Sequence, residues 1–187
     1  MRLSKSSVIG LLAGLMFMPA ATGASDEAAL RVAYVYKFIK FIEWPNLHST
    51  LRLCALGARD DARQALEPLK GKVVNAQVID GKQMVQAIEL IYLDDPQAVN
   101  NTLKTCQMVY RPMQAFPLAI PRPLPAGVVF VADEPPEQDP DLSIALVRNP
   151  NGHIEFFIDQ TAVNNSGVSF SSQLLKLAKT IKEDNTK

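Results

Sequence analysis

Val35-Tyr-Lys-Phe-Ile-Lys-Phe-Ile-Glu-Trp-Pro45 is the stretch on which the reading of this chain turns. At 3.6 residues per turn from about residue 28, its apolar side chains fall on two adjoining faces. Leu30, Tyr34, Phe38 and Phe41 make one stripe; Val32, Val35, Ile39 and Ile42 make the other. Only Lys37, Lys40 and Glu43 interrupt them. Pro45 stops the helix, because the residue before a proline is pushed out of the α region. Trp44, the only tryptophan in the chain, sits at that stop. A helix this apolar needs cover on most of its surface, since each large apolar side chain gains roughly 1.5–3 kcal/mol on full burial. The plainest reading is a core helix.

The 187 residues suffice for one domain with a real core, and 48% hydrophobic with 20% charged residues is ordinary for a globular chain. A formal net charge of zero gives no footprint for nucleic acid or for an anionic membrane surface. The first two dozen residues differ from the rest. Arg2 and Lys5 precede an apolar run from residue 8 to 18, and small residues follow through Ala20, Ala21, Thr22, Gly23 and Ala24. This is the plan of a secretory signal peptide over residues 1–24, cut after Ala24, with an exported domain over 25–187. Loss of Arg2 and Lys5 leaves 17 basic against 19 acidic residues, a charge of −2.

Export changes the reading of the two cysteines. In an oxidising compartment an even pair favours a bridge over two buried thiols, although both remain open from sequence. Cys54 lies in an alternating strand over residues 51–56, and Cys106 opens a second short strand over 106–110. Neighbouring strands can bring such a pair within reach.

Outward from these strands the pattern alternates. Residues 59–69 read as a helix, 72–79 as a strand, 83–87 as one helical turn and 88–93 as a third strand. Asp94-Asp95-Pro96 starts a helix to about residue 104. Five prolines between 112 and 125 exclude a continuous helix or central strand there. Residues 127–133 read as a strand buried on both faces, and 142–148 with 153–158 as a hairpin about Asn149-Pro-Asn-Gly152. Asp159 and Gly167 bracket a short helix over 161–165. A last helix, capped by Ser171 or Ser172, carries Leu174, Leu177, Ala178 and Ile181 on one stripe. The fold expected is a single α/β domain: a mixed β-sheet flanked by helices, with a closing β-hairpin and a C-terminal helix. Phe156, Ile158 and Leu175 should join the opening helix in one core.

No phosphate-binding loop, nucleophile elbow or metal-binding helix motif is present. His48 and His153 read as turn-edge surface residues. Asp94-Asp95 and Glu134 read as loop or helix-start acids rather than a catalytic pair. No catalytic residue, cofactor or metal ligand is assigned, and the chain is not read as an enzyme.

Several stretches together carry a resemblance: Tyr36-Lys-Phe-Ile-Lys-Phe-Ile-Glu-Trp-Pro45, Leu53-Cys-Ala-Leu-Gly57, the strand led by Cys106, residues 128–133, Phe156-Phe-Ile-Asp159, and Ser171-Ser-Gln-Leu-Leu-Lys-Leu-Ala178. In order and spacing they resemble the YfiR family of bacterial periplasmic proteins over about residues 32–179. The resemblance implies a non-catalytic negative regulator in cyclic-di-GMP signalling. It would repress an inner-membrane diguanylate cyclase of the YfiN type by binding the cyclase's periplasmic part, and so restrain biofilm formation. An outer-membrane lipoprotein of the YfiB type would relieve the repression by sequestering the repressor. The resemblance also supports a disulfide between Cys54 and Cys106, and a homodimer stays open. Residues 112–125 replace a helix of the family, and residues 142–157 lack a second cysteine pair found in relatives.

The candidate partner-binding residues are Lys37, Lys40, Glu43 and Trp44, joined by Leu175 of the last helix. Charged residues on an apolar helix mark its solvent strip, and a tryptophan beside it is the residue type most frequent at interface hot spots. The plainer alternative is that Trp44 plugs the core and the lysines are only solvated. A second function class is a periplasmic small-molecule sensor or carrier with an apolar pocket near Trp44.

Overall fold

Helix α1 (Gly23–Phe41) lies along one face of a seven-stranded sheet in the computed structural model, which describes residues 23–44, 49–79, 82–136 and 139–179. The expected signal peptide therefore falls almost wholly outside the described residues, as do Pro45 and His48. No helix of the described residues is long and apolar enough to cross a membrane.

After α1 come β1 (Ile42–Glu43), β2 (Thr50–Leu56), α2 (Asp60–Leu66), β3 (Val73–Ile79), β4 (Lys82–Leu93) and α3 (Pro96–Thr102). Then follow β5 (Met108–Arg111), β6 (Val129–Asp133), β7 (Ile144–Arg148), β8 (Ile154–Ile158), α4 (Gln160–Ser166), β9 (Ser169–Phe170) and α5 (Ser172–Leu177). The sheet order is β3-β4-β2-β5-β6-β7-β8. Its five inner strands run parallel, and the edge strands β3 and β8 are antiparallel to their neighbours. The single mixed α/β domain expected from sequence is the one observed.

Alternation along β2 divides the core between the two faces. Leu51, Leu53 and Ala55 point to a first core that holds Val32, Val35, Phe38 and Ile39 of α1, together with Phe156 and Leu174. Cys54 and Leu56 point to a second core with Val99 and Leu103. Here the proline-rich segment does a helix's work without being one: Leu118, Ile120 and Leu124 cover this face. Gly57 makes that approach possible. It has φ +62°, and a Cβ there would sit 2.5 Å from the carbonyl oxygen of Phe116. Backbone bonds fix the contact, from Phe116 N–H to Gly57 at 2.8 Å and from Gly57 N–H to Leu93 at 2.9 Å. Cys54 and Cys106 are joined by a disulfide with Cα atoms 5.9 Å apart. Cys106 itself precedes β5, at the end of a 3-10 turn, rather than opening the strand.

Local signals account for several boundaries. Asp95 accepts from Ala98 N–H at 2.8 Å and caps α3; Asp159 accepts from Ala162 N–H at 2.9 Å and caps α4. Ser171 caps α5 by accepting from Leu174 N–H at 3.2 Å.

Three expectations need correction. α1 stops at Phe41, because Ile42 and Glu43 leave the helix to pair with Phe170 and Ser169, and Ser171 N–H donates to the Phe41 carbonyl at 2.9 Å. Residues 83–87 are not a helical turn; they continue β4, which pairs antiparallel with β3 from Ile79↔Lys82 inward. α5 ends at Leu177, where Ala178 turns extended and Lys179 N–H bonds the Phe156 carbonyl at 2.9 Å. A helix this short buries only Leu174. Phe156 and Ile158 do pack in the first core, but Leu175 is 38% exposed and Leu177 is 67% exposed. Ile181 lies outside the described residues.

Candidate functional site

The 19 residues of α1 span about 28 Å and run from the carboxyl ends of the parallel strands to their amino ends. Each end of the helix carries polar side chains, and the two sets differ in kind.

At the amino ends of the strands lie the residues singled out from sequence. Lys37, Lys40 and Glu43 are exposed. The Lys40 ammonium stands 5.8 Å from the Tyr36 ring centroid, and Lys72 reaches the same ring at 4.9 Å. Trp44 is half-buried against the first core, and its indole N–H donates to the Gln107 carbonyl at 3.2 Å. Its donor is thus already engaged; what Trp44 can offer a partner is the open part of its ring. The β1–β9 pairing sets the end of α1 beside the start of α5, so exposed Leu175 and Leu177 belong to the same region of the fold.

At the carboxyl ends lies a cluster that the sequence did not announce. Arg31 is 1% exposed. Its Nε and Nη2 donate to Glu27 Oε1 at 3.0 and 2.8 Å, its Nη2 to Glu134 Oε1 at 2.6 Å, and its Nη1 to the Leu146 carbonyl at 3.3 Å. Arg148 adds a side-chain bond to Glu27 and a backbone N–H to Glu134 at 2.8 Å. Glu134 is therefore no idle loop acid. Asp133, at the end of β6, accepts on Oδ2 from Tyr110 O–H at 2.6 Å and from Met113 N–H at 2.9 Å. Its Oδ1 accepts no hydrogen bond among the described residues, with Arg31 Nη1 3.7 Å away.

Burial and charge pull these groups apart in pKa. Burial pushes the Asp133 carboxyl up to about 6, against the opposing pull of Tyr110, Met113 and Arg31. Burial likewise holds the Tyr110 hydroxyl well above its usual value, with the Asp133 charge beside it adding to the shift. Burial works against the charge of Arg31, but Glu134, Glu27 and Asp133 outweigh it, so its pKa is raised. Glu27 is lowered, because its bonds from Arg31 and Arg148 overcome its burial.

A cavity of about 230 Å³ opens beside this cluster, bounded by Arg59, Asp60 and Asp61 after β2, Met113 and Gln114 after β5, and Asp133 at the end of β6. β4 lies on one side of β2 and β5 on the other, so the order of the parallel strands reverses here. Open α/β sheets bind ligands in the crevice outside the carboxyl ends of their strands at such a switch point. Gln114 and Glu134 flank it with φ of 58° and 40°, a region that side chains with a Cβ seldom occupy. A neighbouring hollow shares Pro112, Gln114 and Asp133 and reaches Arg111, whose Nη2 is buried without a hydrogen-bond partner among the described residues. A further polar hollow, lined by Thr50, Arg52, Lys104 and Gln107, lies at the other end of the strands, where the Trp44 indole bonds the Gln107 carbonyl.

His153 is exposed beside the hairpin turn, as its sequence context suggests. Asp94 pairs with Arg63. Among the described residues no three or more His, Cys, Asp or Glu side chains gather as a metal site. Arg31 escaped sequence reasoning because two of its partners, Glu134 and the Leu146 carbonyl, lie 103 and 115 residues away along the chain, although its third, Glu27, is an i,i+4 neighbour on the same helix. The available signal was an arginine between the apolar positions Leu30 and Val32, a place where charge must be matched if the helix is covered.

Residues 28–179 match the family described as YfiR/HmsC-like, and with most of its length matched the chain belongs to that family. No curated protein matches the chain. The family is periplasmic and regulatory rather than catalytic, and it acts in cyclic-di-GMP signalling.

Proposed function

We propose that this YfiR/HmsC-like protein is a periplasmic repressor that holds an inner-membrane diguanylate cyclase of the YfiN type inactive by binding the cyclase's periplasmic part. The docking surface is the amino end of the sheet: Lys37, Lys40 and Glu43, the open part of the Trp44 ring, and Leu175 on α5. An outer-membrane lipoprotein of the YfiB type would compete for the repressor and release the cyclase. Lower cyclic-di-GMP and weaker biofilm formation follow from the repression.

The observation that carries this reading is the family match over residues 28–179. The surface assignment draws its support from exposure. Lys37, Lys40 and Glu43 have no ion pair shown among the described residues, and two leucines in the same region face solvent. Apolar side chains at 38% and 67% exposure in the same region as exposed charges suit a rim-and-core interface better than a bare solvated face. Capture of the tagged protein from solubilised membranes tests the reading. A co-purifying diguanylate cyclase supports repression; recovery of the protein from membranes with no cyclase in several detergents contradicts it.

A further inference from the structure

We infer that the hollow beside Trp44, between the start of β2 and the turn before β5, is a binding site for a phosphate group carried on a small organic body. The hollow holds about 350 Å³, at the lower end of the range for ligand pockets. Arg52 and Lys104 line it with Ser49, Thr50, Thr105 and Gln107, and no acid does. Lys104 has no ion pair among the described residues, and the hydroxyls of Ser49 and Thr50 have no hydrogen-bond partner there. Gln107 is held in one orientation. Its Oε1 accepts from the Arg52 N–H at 2.7 Å and its carbonyl from the Trp44 indole at 3.2 Å, which leaves its amide NH2 free to donate. Arg52 donates from Nε to Glu89 at 2.9 Å, a residue outside the lining, and its terminal nitrogens stay unbonded among the described residues. Only Thr105 has its proton engaged, on the Thr102 carbonyl at 2.8 Å.

Donors without an acid select an anion. An ammonium entering here would meet two cations; a phosphate would meet both, together with hydroxyl and amide donors. Those donors are carried on β2, on the 3-10 turn over residues 103–105 and on the lead-in to β5. That spread suits the oxygens of a tetrahedral phosphate better than the two of a flat carboxylate. The Arg52–Glu89 pair does not cancel the charge, because the two side chains are 39% and 43% exposed, where an ion pair is weak. Lys104 also ends a helical segment, where a cation is favoured for local reasons. That placement asks neither for Arg52 nor for an acid-free lining. The cavity at the carboxyl ends has the opposite character, with Asp60, Asp61 and Asp133 in its wall, and a net charge of zero conceals the separation. Binding here needs no cyclase, so the site stands or falls separately from the partner reading.

Amide shifts of the isotope-labelled protein on adding inorganic phosphate or glycerol 3-phosphate test the assignment, with sodium chloride at equal ionic strength as the blank. Shifts should gather at Ser49, Thr50, Lys104, Thr105 and Gln107. Lys104→Gln with Arg52→Gln should weaken glycerol 3-phosphate binding about tenfold or more, a change readily read in Kd. Lys70→Gln, at an exposed lysine outside the lining, should leave it unchanged. If the double variant fails to fold, Lys104→Gln alone carries the test, because that side chain is exposed and unpaired. Co-sedimentation with phosphatidylglycerol vesicles, against phosphatidylcholine vesicles, separates the two sources of such a group. Sedimentation that Lys104→Gln abolishes assigns the site to a lipid headgroup; shifts with the soluble phosphates and no sedimentation assign it to a free phosphate ester. The proposal is overturned if either soluble phosphate at about 10 mM, where even a millimolar site would be mostly filled, moves these amides no more than the salt blank and the vesicles leave the protein in solution. Full affinity in the folded variants overturns it too, as does an equal loss on Lys70→Gln.

Discussion

Where α1 meets the carboxyl ends of the strands, Arg31 is locked among Glu27, Glu134 and Asp133 with almost no solvent contact; where it reaches their amino ends, Lys37, Lys40 and Glu43 stand in water. The same helix therefore carries charge under two regimes. At the first end Arg31 and the Asp133 side chain have been taken out of water and must be matched, while Glu134 and Arg148 stay partly in solvent, so deleting Arg31 strands the buried carboxyl beside it. At the second end solvent screens each group, and a reversal costs the fold little. Charges of the first kind set shape. Charges of the second kind are free to choose a partner.

The largest expected effect breaks the first end. Arg31→Met keeps much of the apolar stem but removes the cation, leaving Glu27, Glu134 and Asp133 without their common partner. Loss of one member of a buried pair typically costs about 3–5 kcal/mol, which urea denaturation would show. A loss below about 1 kcal/mol would mean that this cluster is solvated like the other end.

The disulfide sharpens the contrast from the opposite side. Cys106 leads into Gln107, whose carbonyl takes the Trp44 N–H, so the bridge anchors the amino end of the sheet. For a separation of 52 residues, chain entropy puts the bridge at about 4 kcal/mol. Cys54→Ser with Cys106→Ser should lower stability by about that much. It should also shift the emission of Trp44, the only tryptophan, before the remainder of the fold unfolds. Free thiols in protein taken from the periplasm would remove this anchor altogether.

A third effect is read in pH. The Asp133 carboxyl titrates near 3.8 when unfolded and at about 6 when folded. Between those values the folded state holds a proton that the unfolded chain has released. Stability from this group thus falls as pH rises from about 4 to about 6, by about 3 kcal/mol, and is level above. Glu27 works in the opposite sense. Its pKa lies below the ordinary 4.5, and the stability it adds is lost as pH falls through its folded value. Subtracting the curve of Asp133→Asn isolates the Asp133 part, with Arg31, Glu27, Glu134 and Tyr110 still present in both proteins. A difference that stays flat from pH 4 to pH 7 would place Asp133 in water.

Much of the scaffold was legible because its signals are local. The periodicity of α1, the caps at Asp95, Asp159 and Ser171, the hairpin at residues 149–152 and the apolar run of β6 up to Asp133 each depend on neighbours in sequence. The expectations that failed depend on distant partners. Ile42 and Glu43 leave the helix because β9 pairs with them. β4 reaches back to Lys82 because β3 does, although Asp80-Gly81 between two alternating runs is itself a strong hairpin signal. α5 stops because residue 179 is captured by β8. The site divides the same way. Exposed charges on α1 follow from its period, whereas the matching of Arg31 by residues more than 100 positions away follows only from the folded sheet.

The smallest effect on the fold is the most direct test of the docking account. Lys40→Glu gives up one contact over the Tyr36 ring and opens no cavity, so stability should change by no more than about 0.5 kcal/mol. Glu43→Lys, at the exposed position of β1, should behave alike. Cellular cyclic-di-GMP is then measured in strains carrying either variant in place of the parent protein. The account predicts folded, exported proteins and a rise in cyclic-di-GMP toward the level of a strain lacking the protein. Variants that fold and hold cyclic-di-GMP as low as the parent does would place the docking surface elsewhere on the molecule.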